Sequence, residues 1–125
     1  LEALIKEKAN YLQAQPDRHE LVYFTVNSYF VPRLTGLYER RLGYRDAFTE
    51  TITNRQMDEL VAKLLALAPP RILFDAPDSL VFRDSYTEYP RRFYERLRAR
   101  LQSEYQPTAT EHGWLVLTPI ARTTQ

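Results

Sequence analysis

The chain of 125 residues contains no cysteine. That excludes disulfides, a thiol nucleophile and cysteine-ligated zinc, and leaves the redox compartment open. Glycine is scarce, with residues only at Gly36, Gly43 and Gly113. Their spacing cannot form a GxGxxG dinucleotide loop or a P-loop, and no GxSxG elbow occurs. An excess of one charge is lacking too. Seventeen basic against sixteen acidic residues leave a net charge of +1, so no global field points to nucleic acid as a partner. No apolar run approaches the roughly 18 residues that a membrane span needs, and no signal-peptide pattern opens the chain. The two histidines, His19 and His112, stand alone in polar turns without metal-ligand spacing. Neither a metal nor a cofactor is predicted.

What is there suits a folded domain. A hydrophobic fraction of 44% and a charged fraction of 26% are ordinary for a globular chain and argue against disorder. The length fits a single domain over residues 1–121, with 122–125 as a loose tail. Leu1 already belongs to a helical pattern. The chain is therefore expected to be a piece of a longer protein, with any membrane or targeting segment upstream.

The stretch around which the rest is arranged is Pro69-Pro70-Arg71-Ile72-Leu73-Phe74-Asp75-Ala76-Pro77-Asp78. Prolines on both sides limit a strand to Arg71–Asp75, because proline has no N–H for the ladder. A leucine-rich helical pattern precedes it and a tyrosine- and arginine-rich one comes after. The order helix–strand–helix predicts an α/β class.

Apolar residues at Leu1, Leu4, Ile5, Ala9 and Leu12 form one face of a helix over Leu1–Gln15. Lys8 falls inside that face, and its amine is expected to reach outward to water. Leu21–Val26 is almost continuously apolar and predicts a central parallel strand covered on both faces. Asn27-Ser28 reads as a turn and Tyr29–Tyr38 as a short helix ended by Gly36. Ala47-Phe48 reads as a short edge strand in an otherwise irregular connection. Thr53 with Gln56 fits a capping box for a helix running to Ala68, its buried arc being Met57, Leu60, Val61, Leu64, Leu65, Leu67 and Ala68. Ser79–Ser85 reads as a loop with a short extended piece at Leu80–Phe82. A further helix is predicted to reach Tyr105, its start obscured by Pro90. Gln106–Glu111 and Trp114–Thr118 predict a closing hairpin turning at His112-Gly113. Together these give a small three-layer, Rossmann-like α/β sandwich whose mixed sheet ends in a β-hairpin.

Two groups of residues are candidates for function. Asp75 and Asp78 sit beyond the carboxyl end of a strand, where open α/β sheets bind ligands. They could share a cation or position a sugar hydroxyl; equally, Asp75 could hold the turn and Asp78 cap the next segment. A phosphoacceptor receiver is excluded, since Val26-Asn27-Ser28 rather than an acidic pair succeeds the first strand. A haloacid-dehalogenase site fails as well, because Pro77 stands where its second aspartate would be. The second group is Arg91, Arg92, Arg96, Arg98 and Arg100, which flank the apolar face of the last helix. They read either as a contact surface for anionic partners or as a solvated helix face, with Glu88 to Arg92 at ion-pair spacing.

The order of elements resembles the extracytoplasmic C-terminal domain of bacterial polytopic glycosyltransferases of the GT-C superfamily, which use polyprenyl-phosphate sugars. The residues that carry this are Ala9-Asn10-Tyr11-Leu12 before an apolar strand, Leu34-Thr35-Gly36, and Pro69-Pro70-Arg71-Ile72-Leu73 after a leucine-rich helix. Leu97, Leu101 and Tyr105 at four-residue spacing and Gly113-Trp114-Leu115-Val116-Leu117 complete the pattern. The chain departs from it in Asp75-Ala76-Pro77-Asp78 and in the long Glu39–Ile52 connection. The resemblance implies an auxiliary domain outside the membrane. It would cover a membrane-embedded site and assist a glycan or lipid-linked substrate, while the catalytic acid would lie elsewhere in the parent protein. Implied partners are the membrane-embedded part of the same chain and anionic lipid headgroups. The alternatives are an independent sugar- or ligand-binding module or enzyme using Asp75 and Asp78, and an interaction module using the arginine helix.

Overall fold

A computed structural model describes residues 2–26, 30–37, 53–78 and 88–121. Its elements are α1 (Glu2–Ala14), β1 (Val22–Phe24), α2 (Phe30–Thr35), α3 (Asn54–Leu67), β2 (Ile72–Asp75), α4 (Glu88–Leu101), β3 (Tyr105–Glu111) and β4 (Trp114–Pro119). The strands form one mixed sheet in the order β1-β2-β4-β3. β1 and β2 are parallel, with Tyr23 opposite Leu73. β4 lies antiparallel to β2, with Val116 opposite Leu73, and β3 returns beside β4 as a hairpin. The α/β class and the closing hairpin are as the sequence predicts. The expected pieces at Asn27-Ser28, Ala47-Phe48 and Leu80–Phe82, and the tail at 122–125, lie outside the described residues.

Alternation along the strands divides the core into two layers. Val22, Phe24, Ile72, Phe74, Leu115 and Leu117 meet α3 and α4 through Met57, Leu60, Leu64, Phe93 and Leu97. Tyr23, Leu73, Trp114 and Val116 face the other way and meet Leu12 of α1 and Val31 of α2. With helices on both sides, strands read as unbroken apolar runs. This explains Leu21–Phe24 and Ile72–Phe74. Yet β1 is an end strand among the described residues, not the central one that its composition suggested; β2 and β4 hold the middle.

Local signals explain where the elements stop. The Thr53 hydroxyl accepts from Gln56 N–H, and the Gln56 side chain accepts from Thr53 N–H, so the capping box is formed. Ala68 ends α3 in the left-handed region at φ 48°, directly before the two prolines. The buried arc of α3 is narrower than predicted: Met57, Leu60 and Leu64 are buried, while Leu65 and Leu67 are exposed. α4 begins at Glu88, so Pro90 sits in its first turn, where a missing N–H costs nothing. α4 stops at Leu101 rather than Tyr105. Tyr105 opens β3 instead and donates its hydroxyl to the Pro69 carbonyl at 2.7 Å. At the hairpin tip, His112 and Gly113 have φ of 51° and 84°. Positive φ at both central residues is what a two-residue turn matched to strand twist requires. Among the described residues no helix is long and apolar enough to cross a membrane.

Candidate functional site

Among the described residues, the side chains that converge most closely are buried, at the carboxyl ends of β1 and β2. Asp75 closes β2, Thr25 succeeds β1, Lys8 arrives from α1 and Tyr94 from α4. Lys8 and Asp75 form an ion pair in which both side chains are fully buried. Asp75 Oδ1 also accepts the Thr25 hydroxyl at 2.8 Å. Its Oδ2 accepts the Val26 N–H at 2.8 Å and the Tyr94 hydroxyl at 2.7 Å. A carboxylate offers about four acceptor positions, and these donors use them. The Lys8 ammonium donates further to Thr25 Oγ1 at 2.9 Å and lies 4.3 Å from the centre of the Trp114 ring, a cation–π arrangement. Trp114 Nε1 in turn donates to the Lys8 carbonyl at 3.1 Å.

Lys8 therefore does not extend to water as its place on α1 suggested. Reaching outward is the usual escape of a lone ammonium, but a carboxylate from the sheet waits inside it here. Burial pushes the Lys8 ammonium down from the ordinary lysine range, opposed by the adjacent Asp75 charge and hydrogen bond. The Tyr94 hydroxyl is pushed well above the tyrosine range, first by burial and then by the Asp75 carboxylate. The short approach of α1 depends on Gly113. A Cβ there would stand 2.9 Å from Leu4 Cδ1 and 3.0 Å from Lys8 Cγ.

The two aspartates singled out by sequence thus have different fates. Asp75 is 2% exposed and saturated from within, whereas Asp78 is exposed in the turn after β2. A cation or sugar held between them would need both carboxylates at one solvent-facing point. Among the described residues, no group of three histidines, aspartates or glutamates is arranged to hold a metal ion.

The arginines of α4 are also divided. Arg92 is exposed, while Arg91, Arg96, Arg98 and Arg100 are half-buried. Arg96 donates to Asn54 Oδ1 at 3.0 Å, and Arg100 pairs with Asp58 at 3.1 Å. Both are laid across α3, so they tie two helices together as well as carry charge.

A second polar cluster joins α1 to the sheet edge. Arg71 directs Nε and Nη2 at the Asp17 carboxylate, Nη1 at the Tyr11 hydroxyl (3.0 Å) and Nη2 at Gln15 Oε1 (3.1 Å). The Asp17 carboxyl is held below its ordinary range, chiefly by the hydrogen bond from Arg71. Tyr11 donates to Glu111 Oε2 at 3.0 Å, and its hydroxyl is raised by burial and by that carboxylate. Beside Tyr11 lies the His112 ring, with centroids 5.6 Å apart and planes 34° from parallel. An open depression of about 750 Å³ adjoins this pair, lined by residues that include Glu7, Asn10 and Ala14.

Sequence reasoning missed both clusters. The signal for the first was a pair of opposite charges, Lys8 and Asp75, each set among apolar residues on different elements. Tyr11 entered only as part of a family pattern, Arg71 as that and as the start of a strand, and His112 as a plain turn residue. Comparison with protein-family models, with curated proteins and with solved structures gives no match.

Proposed function

We propose that the chain is an auxiliary, non-catalytic domain of a bacterial membrane glycosyltransferase of the GT-C type, placed on the extracytoplasmic face. There it covers the membrane-embedded site and assists a glycan or polyprenyl-linked substrate. Its partners are the membrane-embedded part of the same protein and anionic headgroups beneath the exposed edge of α4 at Arg92. The sequence pattern around Pro69-Pro70-Arg71, Leu97 to Tyr105 and Gly113–Leu117 is the source of this reading.

One observation supports the non-catalytic role above others. Open α/β sheets bind ligands beyond the carboxyl ends of their strands. In this chain Asp75, at that position, is 2% exposed and taken up by Lys8, Thr25, Val26 and Tyr94. Among the described residues, the groups buried at these strand ends hold the layers together instead. The test is transfer from a polyprenyl-phosphate sugar, assayed with the chain alone and with the parent protein in vesicles, with and without this domain. No turnover by the chain alone, and reduced transfer on deletion, are the expected results. Turnover by the chain alone, or full transfer after deletion, would overturn the proposal.

A further inference from the structure

We infer that the Tyr11–His112 ledge between α1 and the β3–β4 turn binds a neutral pyranose unit of a glycan. One face of a pyranose is a row of C–H bonds, and its rim is a ring of hydroxyls. A receptor therefore needs a flat aromatic surface with mixed donors and acceptors around it. The two rings pack against each other, 5.6 Å apart and tilted by 34°, and the His112 side chain is exposed. Tyr11 is held by its hydroxyl, which accepts from Arg71 at 3.0 Å and donates to Glu111 at 3.0 Å. A ring fixed in this way loses little side-chain freedom when a ligand arrives. Asp17 and Gln15 hold Arg71 in turn, so the support extends to a second layer of contacts.

His112 is held as well. Its Nδ1 lies 3.0 Å from Glu7 Oε1, and its backbone is left-handed at φ 51°. Asparagine or glycine would adopt that backbone at lower cost; histidine adds a ring beside Tyr11. The adjoining depression is open, so a ligand there would rest on the surface with one side facing solvent. Asn10 supplies a donor and an acceptor there, Lys6 a donor and Glu7 an acceptor. Lys6 pairs with Glu2 and Arg71 with Asp17, and Glu7 and Glu111 add negative charge, so the ledge disfavours a phosphate.

The choice of a sugar as ligand rests on the glycosyltransferase reading; the ledge rests on its own geometry. The test is a ¹⁵N–¹H titration of the chain with methyl pyranosides of mannose, glucose, galactose and N-acetylglucosamine, with adenosine as a flat aromatic control. Saturable shifts at Tyr11, Ala14 and His112 are expected with at least one sugar and not with adenosine. His112→Asn keeps the turn conformation and should not lower the denaturant midpoint while weakening binding about tenfold. No saturation by any pyranoside, saturation by adenosine alone, or equal affinity in His112→Asn would each overturn the inference. Such a result with reduced transfer on deletion counts against the ledge only. Sugar binding with full transfer on deletion counts against the auxiliary role only.

Discussion

Replacing Lys8 by methionine tests the buried network most directly. Methionine keeps an unbranched stem of similar reach and deletes the ammonium, so most of the packing against Trp114 and α1 survives. What it removes is the Lys8 positive charge on Asp75, which is 2% exposed. Breaking a buried pair from one side typically costs about 3–5 kcal/mol, because the remaining charge is left uncompensated. Here the Thr25 and Tyr94 hydroxyls and the Val26 N–H still donate to the carboxylate, which places the cost at the lower end, about 3 kcal/mol. Against a total stability on the order of 5–15 kcal/mol, that is a large share.

Urea denaturation followed by the single tryptophan, Trp114, reads the change as a lower midpoint at constant slope. The decisive variant is the double one, Lys8→Met with Asp75→Asn. Asparagine keeps the shape of the aspartate and leaves no stranded charge, so the double variant should be more stable than the sum of the single losses predicts. Contacting residues in one network couple by about 0.5–3 kcal/mol. If the losses simply add, or if Lys8→Met unfolds at the wild-type midpoint, then Lys8 and Asp75 are not held as a pair in the interior. Asp75 would then be free to serve a ligand at the strand end after all.

Tyr94→Phe should show itself in the alkaline range. A hydroxyl raised in the folded state contributes stability that is complete below the ordinary tyrosine value of about 10 and is lost as pH climbs toward the folded one. The stability gap between wild type and Tyr94→Phe should therefore shrink above about pH 10; a constant gap from neutral to alkaline pH would contradict this. Gly113→Ala places a Cβ 2.9 Å from Leu4 Cδ1 at a φ of 84°. Overpacking and backbone strain together should cost about 1–3 kcal/mol, and an unchanged midpoint would mean that α1 does not rest on the hairpin turn.

The parts of this fold that were legible in the sequence are those set by neighbours along the chain. Pro69-Pro70 and Pro77 bracket β2, Thr53 and Gln56 start α3, and His112-Gly113 turns the hairpin, each within a few residues. The errors have a common cause. Tyr105 continues the four-residue spacing of Leu97 and Leu101 and so resembles a helix residue. Its place is decided by the Pro69 carbonyl, which accepts its hydroxyl at 2.7 Å. Leu65 and Leu67 read as core because leucine is apolar, yet the face of α3 toward the sheet is Met57, Leu60, Val61 and Leu64. Local pattern states what a residue prefers; the partner that satisfies it stands elsewhere in the chain.

Lys8 carries that point to function. A lysine within an apolar face has two outcomes, water or a buried anion, and α1 alone cannot choose between them. The choice lies 67 positions away, in an aspartate that taken by itself resembles a ligand-binding residue at a strand end. Each residue, read singly, suggests exposure, Lys8 to solvent and Asp75 to a substrate. Read together, each removes the other from the surface, and Tyr94 and Thr25 complete the enclosure. The same arrangement presses α1 onto the hairpin turn, because Lys8 Cγ and Leu4 pack where any side chain at position 113 would stand. One consequence is that Tyr11, one turn after Lys8 on α1, comes to rest beside His112 at the hairpin tip. The buried pair that withdraws one candidate site thus sets the geometry of the other. A variant that loosens the pair, such as Lys8→Met, should weaken sugar binding at the ledge although it touches neither ring. The same ¹⁵N–¹H titration reads this, and an affinity equal to wild type would show that the ledge keeps its shape without the pair.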